Sequence, residues 1–304
     1  MDYLTIDVGG TYIKYGIIDH SGNLLRADKV PTPQNLDDFL VQIYDLVEPV
    51  KSEIQGIGVS LPGKVDSDEG VVYYGGSLQF LHELPLKAKL EERFGITCEL
   101  VNDGKAAALA ELWQGNLKGV TNGAALILGT GVGGGLILDG KLYQGSHFQA
   151  GELSFIISNR TLSNHEDMTG YSHSAVEFVK AASRILDLED ENDGISVFAA
   201  INEGSNEELI TLFDSYCEKL ANLIITLQAV VDISTVVIGG GISQQNVLIE
   251  NIIKQYYSVR ERLGVFGDML AKIDILPCEF RSESNLRGAL YQLLLNIDAG
   301  NQTK

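Results

Sequence analysis

Three glycine turns and one amide–acid pair carry most of the chemical potential of this 304-residue chain. Gly9-Gly10 follows Asp7 and an apolar run; a glycine-rich segment at 129–135 follows a second apolar run; Gly239-Gly240-Gly241 follows a third. A turn without Cβ atoms exposes backbone N–H groups to which phosphate oxygens can come close. Two such nests are suited to clamping a polyphosphate, and the third offers bare backbone against which adenosine can lie. Asn102-Asp103 stands where an apolar segment gives way to an Ala-rich one. An Asp at such a junction either caps the helix or receives the hydroxyl proton when a phosphoryl group moves to an alcohol. Asp7, beside the first turn, is suited to the water shell of a Mg2+ ion.

Two common nucleotide motifs do not fit. Gly129-Thr130-Gly131-Val132-Gly133-Gly134 matches GxGxxG, but a dinucleotide site needs a helix after it, and LILDGKLY at 136–143 has strand character. A Walker A loop needs Ser or Thr after Gly-Lys, and the pairs at 63–64, 104–105 and 140–141 precede Val65, Ala106 and Leu142.

The elements that must position these residues alternate between strand and helix patterns. Strands are expected at 3–8, 12–19, 54–61, 97–102, 123–128, 136–142 and 235–238, with helices at 36–50, 84–94, 104–114, much of 170–230, and 286–297. The pattern is mixed α/β. LTIDVGGTYIKYGIID at 4–19 and LILGTGVGGGLILD at 126–139 both read strand, glycine turn, strand, Asp. This internal repeat predicts two related lobes, each opening on a β-hairpin.

Acidic residues number 41 against 22 Lys plus Arg, a formal charge of −19, which repels DNA and RNA. The three cysteines, Cys98, Cys217 and Cys278, form neither a disulfide framework nor a CxxC knuckle, which suits a reducing compartment. The N-terminus lacks the basic start and apolar run of a secretion signal. No apolar stretch approaches the roughly 20 residues that span a bilayer. The expectation is a cytoplasmic protein without a membrane or nucleic-acid partner.

Asp7-Val8-Gly9-Gly10-Thr11, Val101-Asn102-Asp103-Gly104, Leu128–Gly135, Ala150-Gly151-Glu152 and Ile238-Gly239-Gly240-Gly241-Ile242 occur in order along the chain. The ordered set resembles the ROK family of bacterial sugar kinases and repressors from end to end. The resemblance implies the two-lobed, actin-like ATPase (ribonuclease H-like) α/β fold with an interlobe active-site cleft, ATP and Mg2+, and a homodimer. It implies a small lobe at 1–117 plus 289–304 and a large nucleotide-binding, dimerising lobe at 118–288. Asp7, Gly9, Gly10 and Thr11 would form the first phosphate loop, and Thr130, Gly131 and Gly133 the second. Gly239 and Gly240 would border adenosine. Gly63, Asn102 and Glu152 would meet the sugar, and Asp103 would be the general base.

The chain departs from the family pattern at two points. Phe155 stands where a sugar-binding His is usual, and the zinc loop is missing, since SNRTLSNHEDMTGYSHSA at 158–175 has no cysteine. No zinc is therefore expected, His165 and His173 are read as surface residues, and Phe155 is read either as an apolar face of the sugar pocket or as core. Glu166 is the candidate for a second sugar-binding glutamate. This zinc-less form resembles β-glucoside kinases, glucokinase-like proteins and N-acetylmannosamine kinase-like proteins. The alternatives are a sugar-binding sensor without catalysis, a chaperone-like or filament ATPase, and a repressor. The repressor would need a DNA-binding module ahead of a hairpin that starts at residue 3.

Overall fold

Strand β1 (Asp2–Val8) sends alternate side chains to opposite faces. Leu4, Ile6 and Val8 enter one buried cluster and Tyr3 enters another. The structure, a computed structural model, describes residues 1–159 and 161–302. Arg160, within the 158–175 stretch, and Thr303-Lys304, at the end of the 289–304 segment, lie outside the described residues. The chain divides into two compact units. One comprises Met1–Gly115, Leu142–Ala150 and Ser282–Lys304; the other comprises Asn116–Lys141 and Gly151–Arg281.

In the first unit β1 is followed by β2 (Tyr12–Asp19), β3 (Leu24–Pro31), α1 (Leu36–Val47) and β4 (Ile54–Leu61). A small hairpin, β5 (Lys64–Asp66) and β6 (Val71–Tyr73), then leads to α2 (Leu86–Phe94), β7 (Cys98–Asn102) and α3 (Asp103–Gln114). Among the described residues the main sheet has the order β3-β2-β1-β4-β7, with β1–β2 antiparallel and β1–β4 and β4–β7 parallel. Phe39 and Ile43 of α1 cover one face, joining Leu4, Ile6 and Ile13. The other face receives a helix from the far end of the sequence, through Leu286, Leu290, Leu293 and Leu294 against Tyr3 and Ile18.

In the second unit β8 (Gly123–Leu128), β9 (Val132–Leu138) and the two-residue β10 (Lys141–Leu142) are followed by α4 (Thr169–Ser172), α5 (Ala175–Ile185), α6 (Gly194–Glu203) and α7 (Glu207–Val231). Then come β11 (Thr235–Gly240), α8 (Asn246–Arg262), α9 (Val265–Met269) and β12 (Asp274–Pro277). The closing helix of the first unit is α10 (Ser284–Gln302). The order β10-β9-β8-β11-β12 repeats that of the first sheet, again with an antiparallel hairpin beside two parallel strands. Its core includes Phe178 stacked on Tyr216 at 4.5 Å, with Phe198 and Phe213 alongside. The repeat in the sequence is thus a repeat of sheet topology.

Several elements differ from the sequence reading, β12 and α9 among them. Val132–Gly135, read as part of a glycine turn, belongs to β9, because it pairs in register with Ala125–Leu128 of β8, with Leu153 and Gly151 packed on Gly134, and the turn proper is only 129–131. Strand β3 escaped notice because its side chains are charged and mostly exposed, as suits a sheet edge. The β5–β6 hairpin is too short to show periodicity.

Candidate active site

Asp7 is 7% exposed near the end of β1, opposite Lys14 of β2 and Ser60 of β4. Burial raises its pKa, against the lowering effects of the hydrogen bond from Asn285 and the charge of Lys14. Asn285 Nδ2 donates to Asp7 Oδ1 at 2.9 Å. Among the described residues no cation lies within ion-pair distance of this carboxylate. A buried carboxylate of this kind is costly unless a positive charge joins it. It fits a Mg2+ ion, which binds through one or two carboxylates and keeps several waters. The turn beyond it is held by a hydrogen bond from Gly9 N–H to Tyr12 O at 3.0 Å and one from Thr32 Oγ1 to Gly9 O at 2.7 Å. Among the described residues the N–H groups of Gly10 and Thr11 donate to no protein acceptor, and both residues are exposed.

The acid–amide pair sits where β7 passes into α3. Asn102, not Asp103, caps the helix: its Oδ1 accepts from Lys105 N–H at 3.1 Å. Its Nδ2 donates to Gly63 O at 2.8 Å and to Asp103 Oδ1 at 3.0 Å. Gly104 N–H adds a second bond to Asp103 Oδ1 at 2.8 Å. Asp103 is therefore spared capping duty, and its carboxylate is oriented by two donors. Gly63 has φ +83°, and a Cβ there would fall 1.8 Å from Tyr74 O, so no larger residue fits.

The second hairpin turns through Gly129, Thr130 and Gly131, closed by Gly129 N–H to Gly131 O at 3.0 Å. Gly129 O accepts from Ala175 N–H at 3.0 Å, which ties the turn to the start of α5. Among the described residues the N–H groups of Thr130 and Gly131 donate to no protein acceptor. Ser154 braces the turn: Val132 N–H donates to its Oγ at 3.0 Å. Gly133 lies in β9, and Gly151 packs against Gly134. Glu152 immediately precedes the single 3-10 turn Leu153–Phe155 and is half-buried. Phe155 is 62% exposed, so it is not core.

Gly239 and Gly240 owe their type chiefly to packing on β8. A Cβ on Gly240, at φ +99°, would lie 2.0 Å from Leu128 O, and one on Gly239 would lie 2.7 Å from Ile127 Cδ1. Gly241 instead borders a cavity of about 340 Å3 whose lining includes Leu128, Gly129, Val179, Phe198 and Ile242. The same cavity thus touches both the 129–131 turn and the third glycine run. A flat, mostly apolar ring carrying a phosphate chain matches it.

Among the described residues no group of three or more His, Cys, Asp or Glu could hold a metal. His173 is not a surface residue: it is 5% exposed. Its Nε2 lies 3.0 Å from Lys219 O and its Nδ1 lies 2.8 Å from Ser172 Oγ, so both ring nitrogens are engaged. Burial lowers its pKa to about 4. His165 packs edge-on against Tyr171, and Glu166 is exposed in the 3-10 turn His165–Asp167.

The family model for the ROK family matches residues 3–294. The chain belongs to the ROK family. A glucokinase of Streptomyces coelicolor is 30% identical over 306 residues, covering 93% of this chain and 95% of that one. A beta-glucoside kinase of Listeria monocytogenes is 27% identical over 306 residues, covering 97% and 98%. A ROK family protein of Streptococcus pneumoniae, solved in complex with sucrose, superposes with a TM-score of 0.86 at 25% identity, covering 98% of this chain and 100% of that one. The repeated sheet topology is that of the actin-like ATPase fold, as the sequence led one to expect.

Within this ROK chain, sequence reasoning missed three positioning groups. Asn285 reaches Asp7 from 278 positions away, a pairing no local pattern reveals. Ser154 braces the second turn, and its only sequence signal is its nearness to Glu152. Lys105 is 1% exposed and donates to Gln144 Oε1 and Phe148 O, both at 2.8 Å. It pins the segment that leads to Ala150-Gly151-Glu152.

Proposed function

We infer that this chain is an ATP-dependent sugar kinase that moves the γ-phosphoryl group of ATP to a sugar hydroxyl. The observation that carries the reading is the carboxylate of Asp103, oriented by Asn102 and Gly104 on one oxygen and bound through Asn102 to Gly63. Such a fixed carboxylate at a strand end is what an alcohol acceptor needs, because the attacking hydroxyl must give up its proton as the new P–O bond forms. The named relatives, a glucokinase and a beta-glucoside kinase, support the same class of acceptor.

In this reading Asp103 receives the hydroxyl proton, while Gly63 and Glu152 orient the sugar. Asn102 contributes mainly by fixing Asp103, since both hydrogens of its amide are already committed. Phe155 offers an exposed apolar face for the sugar. The N–H groups of Gly10, Thr11, Thr130 and Gly131 hold phosphate oxygens, with Gly9 and Gly133 keeping the backbone bare. The cavity beside Gly241 takes the adenine ring, with Gly239 and Gly240 as its backing strand. Asp7, oriented by Asn285, would hold Mg2+ through water; the ion would neutralise charge on the phosphates. No zinc enters this scheme. The family resemblance also supports a cytoplasmic homodimer.

The test is coupled ATP consumption with and without a panel of free hexoses, amino sugars and β-glucosides. Turnover that depends on a sugar is expected. ATP hydrolysis indifferent to sugar would make the chain an ATPase, and sugar binding without turnover would make it a sensor.

A further inference from the structure

The segment after the β5–β6 hairpin presents an aromatic surface that phosphoryl transfer does not account for. Tyr74 is 71% exposed, with φ +52°. That left-handed region is disfavoured for a bulky residue. Gly75 and Gly76 come next, so glycine was at hand in this turn, yet a tyrosine holds the strained position. Outliers of this kind gather where function maintains them.

The ring is held in place. It stacks on His82 with centroids 4.4 Å apart and planes 26° from parallel. Tyr74 N–H donates to His82 Nδ1 at 3.3 Å. His82 in turn meets Tyr73 edge-on at 6.4 Å. The hairpin does not need Tyr74 for its core, which is made by Val65, Val72, Leu78, Leu81 and Leu84, each 3% exposed or less.

This shelf is mechanically continuous with Asp103. Tyr74 O lies so close to Gly63 that a Cβ on the glycine would be 1.8 Å away. Gly63 O accepts from Asn102 Nδ2 at 2.8 Å, and the same amide holds Asp103 Oδ1 at 3.0 Å. Every link of this chain of contacts lies within the first unit.

Exposed flat rings bind the C–H face of a pyranose, or another aromatic ring, through dispersion and weak π contacts, and the backbone of Tyr74 is two contacts from Asn102, which holds Asp103. We propose that Tyr74, backed by His82, is a stacking subsite for a second ring carried by the sugar that is phosphorylated. The substrate class is then a glycoside with an aryl or glycosyl substituent. The inference rests on the kinase reading given above, in which Asp103 acts on the first ring.

The test compares glucose with phenyl β-glucoside in wild type, Tyr74→Ala, Tyr74→Asn and Tyr74→Phe, by kcat/KM and by calorimetric binding of phenyl β-glucoside without ATP. Tyr74→Asn guards against a backbone artefact, because Asn tolerates positive φ. The Ala and Asn variants should lose roughly 3- to 10-fold in kcat/KM and in affinity for the glucoside, with glucose within two-fold of wild type, and Phe should retain both. Equal losses for both sugars, or unchanged glucoside binding in the Ala and Asn variants, overturn the subsite. Tyr74-dependent glucoside binding with no sugar phosphorylated would uphold the subsite and sink the kinase reading instead.

Discussion

The two hairpins share a topology and differ in what they display. In β1–β2, the residue two before the first turn glycine is Asp7, buried and bonded by Asn285. In β8–β9, the residue two before Gly129 is the apolar Ile127. Both turns leave N–H groups without a protein acceptor among the described residues, but the first unit also carries Asp103 and its partners, whereas the second has a mostly apolar cavity beside its turn. The two copies of one scaffold thus differ in their surroundings: one carries a buried carboxylate and an oriented acid, the other an apolar cavity beside bare backbone. The units also treat their buried titratable groups differently. Burial raises the pKa of Asp7, whose carboxylate accepts from Asn285, while burial keeps His173 neutral, both ring nitrogens engaged.

The sharpest way to break this comparison is Asp103→Asn. It should cut turnover by about 10²–10⁴ while ATP and sugar still bind, as measured by steady-state kinetics and calorimetry. Near-normal turnover in the folded variant would remove the charge chemistry from the first unit.

His173 tests the opposite strategy. Its folded pKa of about 4 lies below the usual 6.5, so on acidification the unfolded chain takes up the proton first. Stability should fall as pH drops from about 6.5 towards 4, by up to about 3 kcal/mol from this residue. Urea titrations across that range should show His173→Gln losing less stability than wild type; identical pH profiles would mean the ring is not a buried neutral group.

Gly131→Val should weaken ATP binding by about ten-fold, roughly 1.4 kcal/mol, with sugar affinity little changed. Added bulk there meets Ser154 Oγ and crowds the turn amides. Unaltered ATP affinity would reduce the second hairpin to a structural turn.

The smallest effect sharpens the contrast most. Asp7→Asn keeps an oxygen for Asn285 but removes a buried charge. With a folded pKa above the unfolded one, ionised Asp7 costs stability at neutral pH. The variant should therefore melt about 2 °C higher while losing activity. A lower melting temperature would show that the carboxylate is structural.

Local features of this fold were legible because they are written in contiguous residues. Apolar runs marked β1, β2, β4, β7 and β8, and glycines marked both turns. The Asn102-Asp103 junction was visible as a change from β-branched to Ala-rich sequence, though which of the two caps the helix was not. What remained hidden depends on distant neighbours. Gly239 and Gly240 look like ligand contacts in sequence, yet their tight packing on Leu128 O and Ile127 sets their type, and Gly241 meets the cavity. No periodic signal reveals the positive φ of Tyr74. His173 reads as polar surface until α7 is seen to bring Lys219 O to its ring.

Helix α10 has a consequence for the timing of synthesis. Asp7 is made 278 positions before its partner Asn285. Leu286, Leu290 and Leu293, which cover one face of the first sheet, arrive with it. The second unit, by contrast, is complete at Arg281. During translation the second unit can therefore finish first, while the β1–β2 hairpin waits with one face of its sheet uncovered. A nascent chain cut short before α10 would lack the amide that orients Asp7, so that carboxylate goes without its anchor until the helix is made.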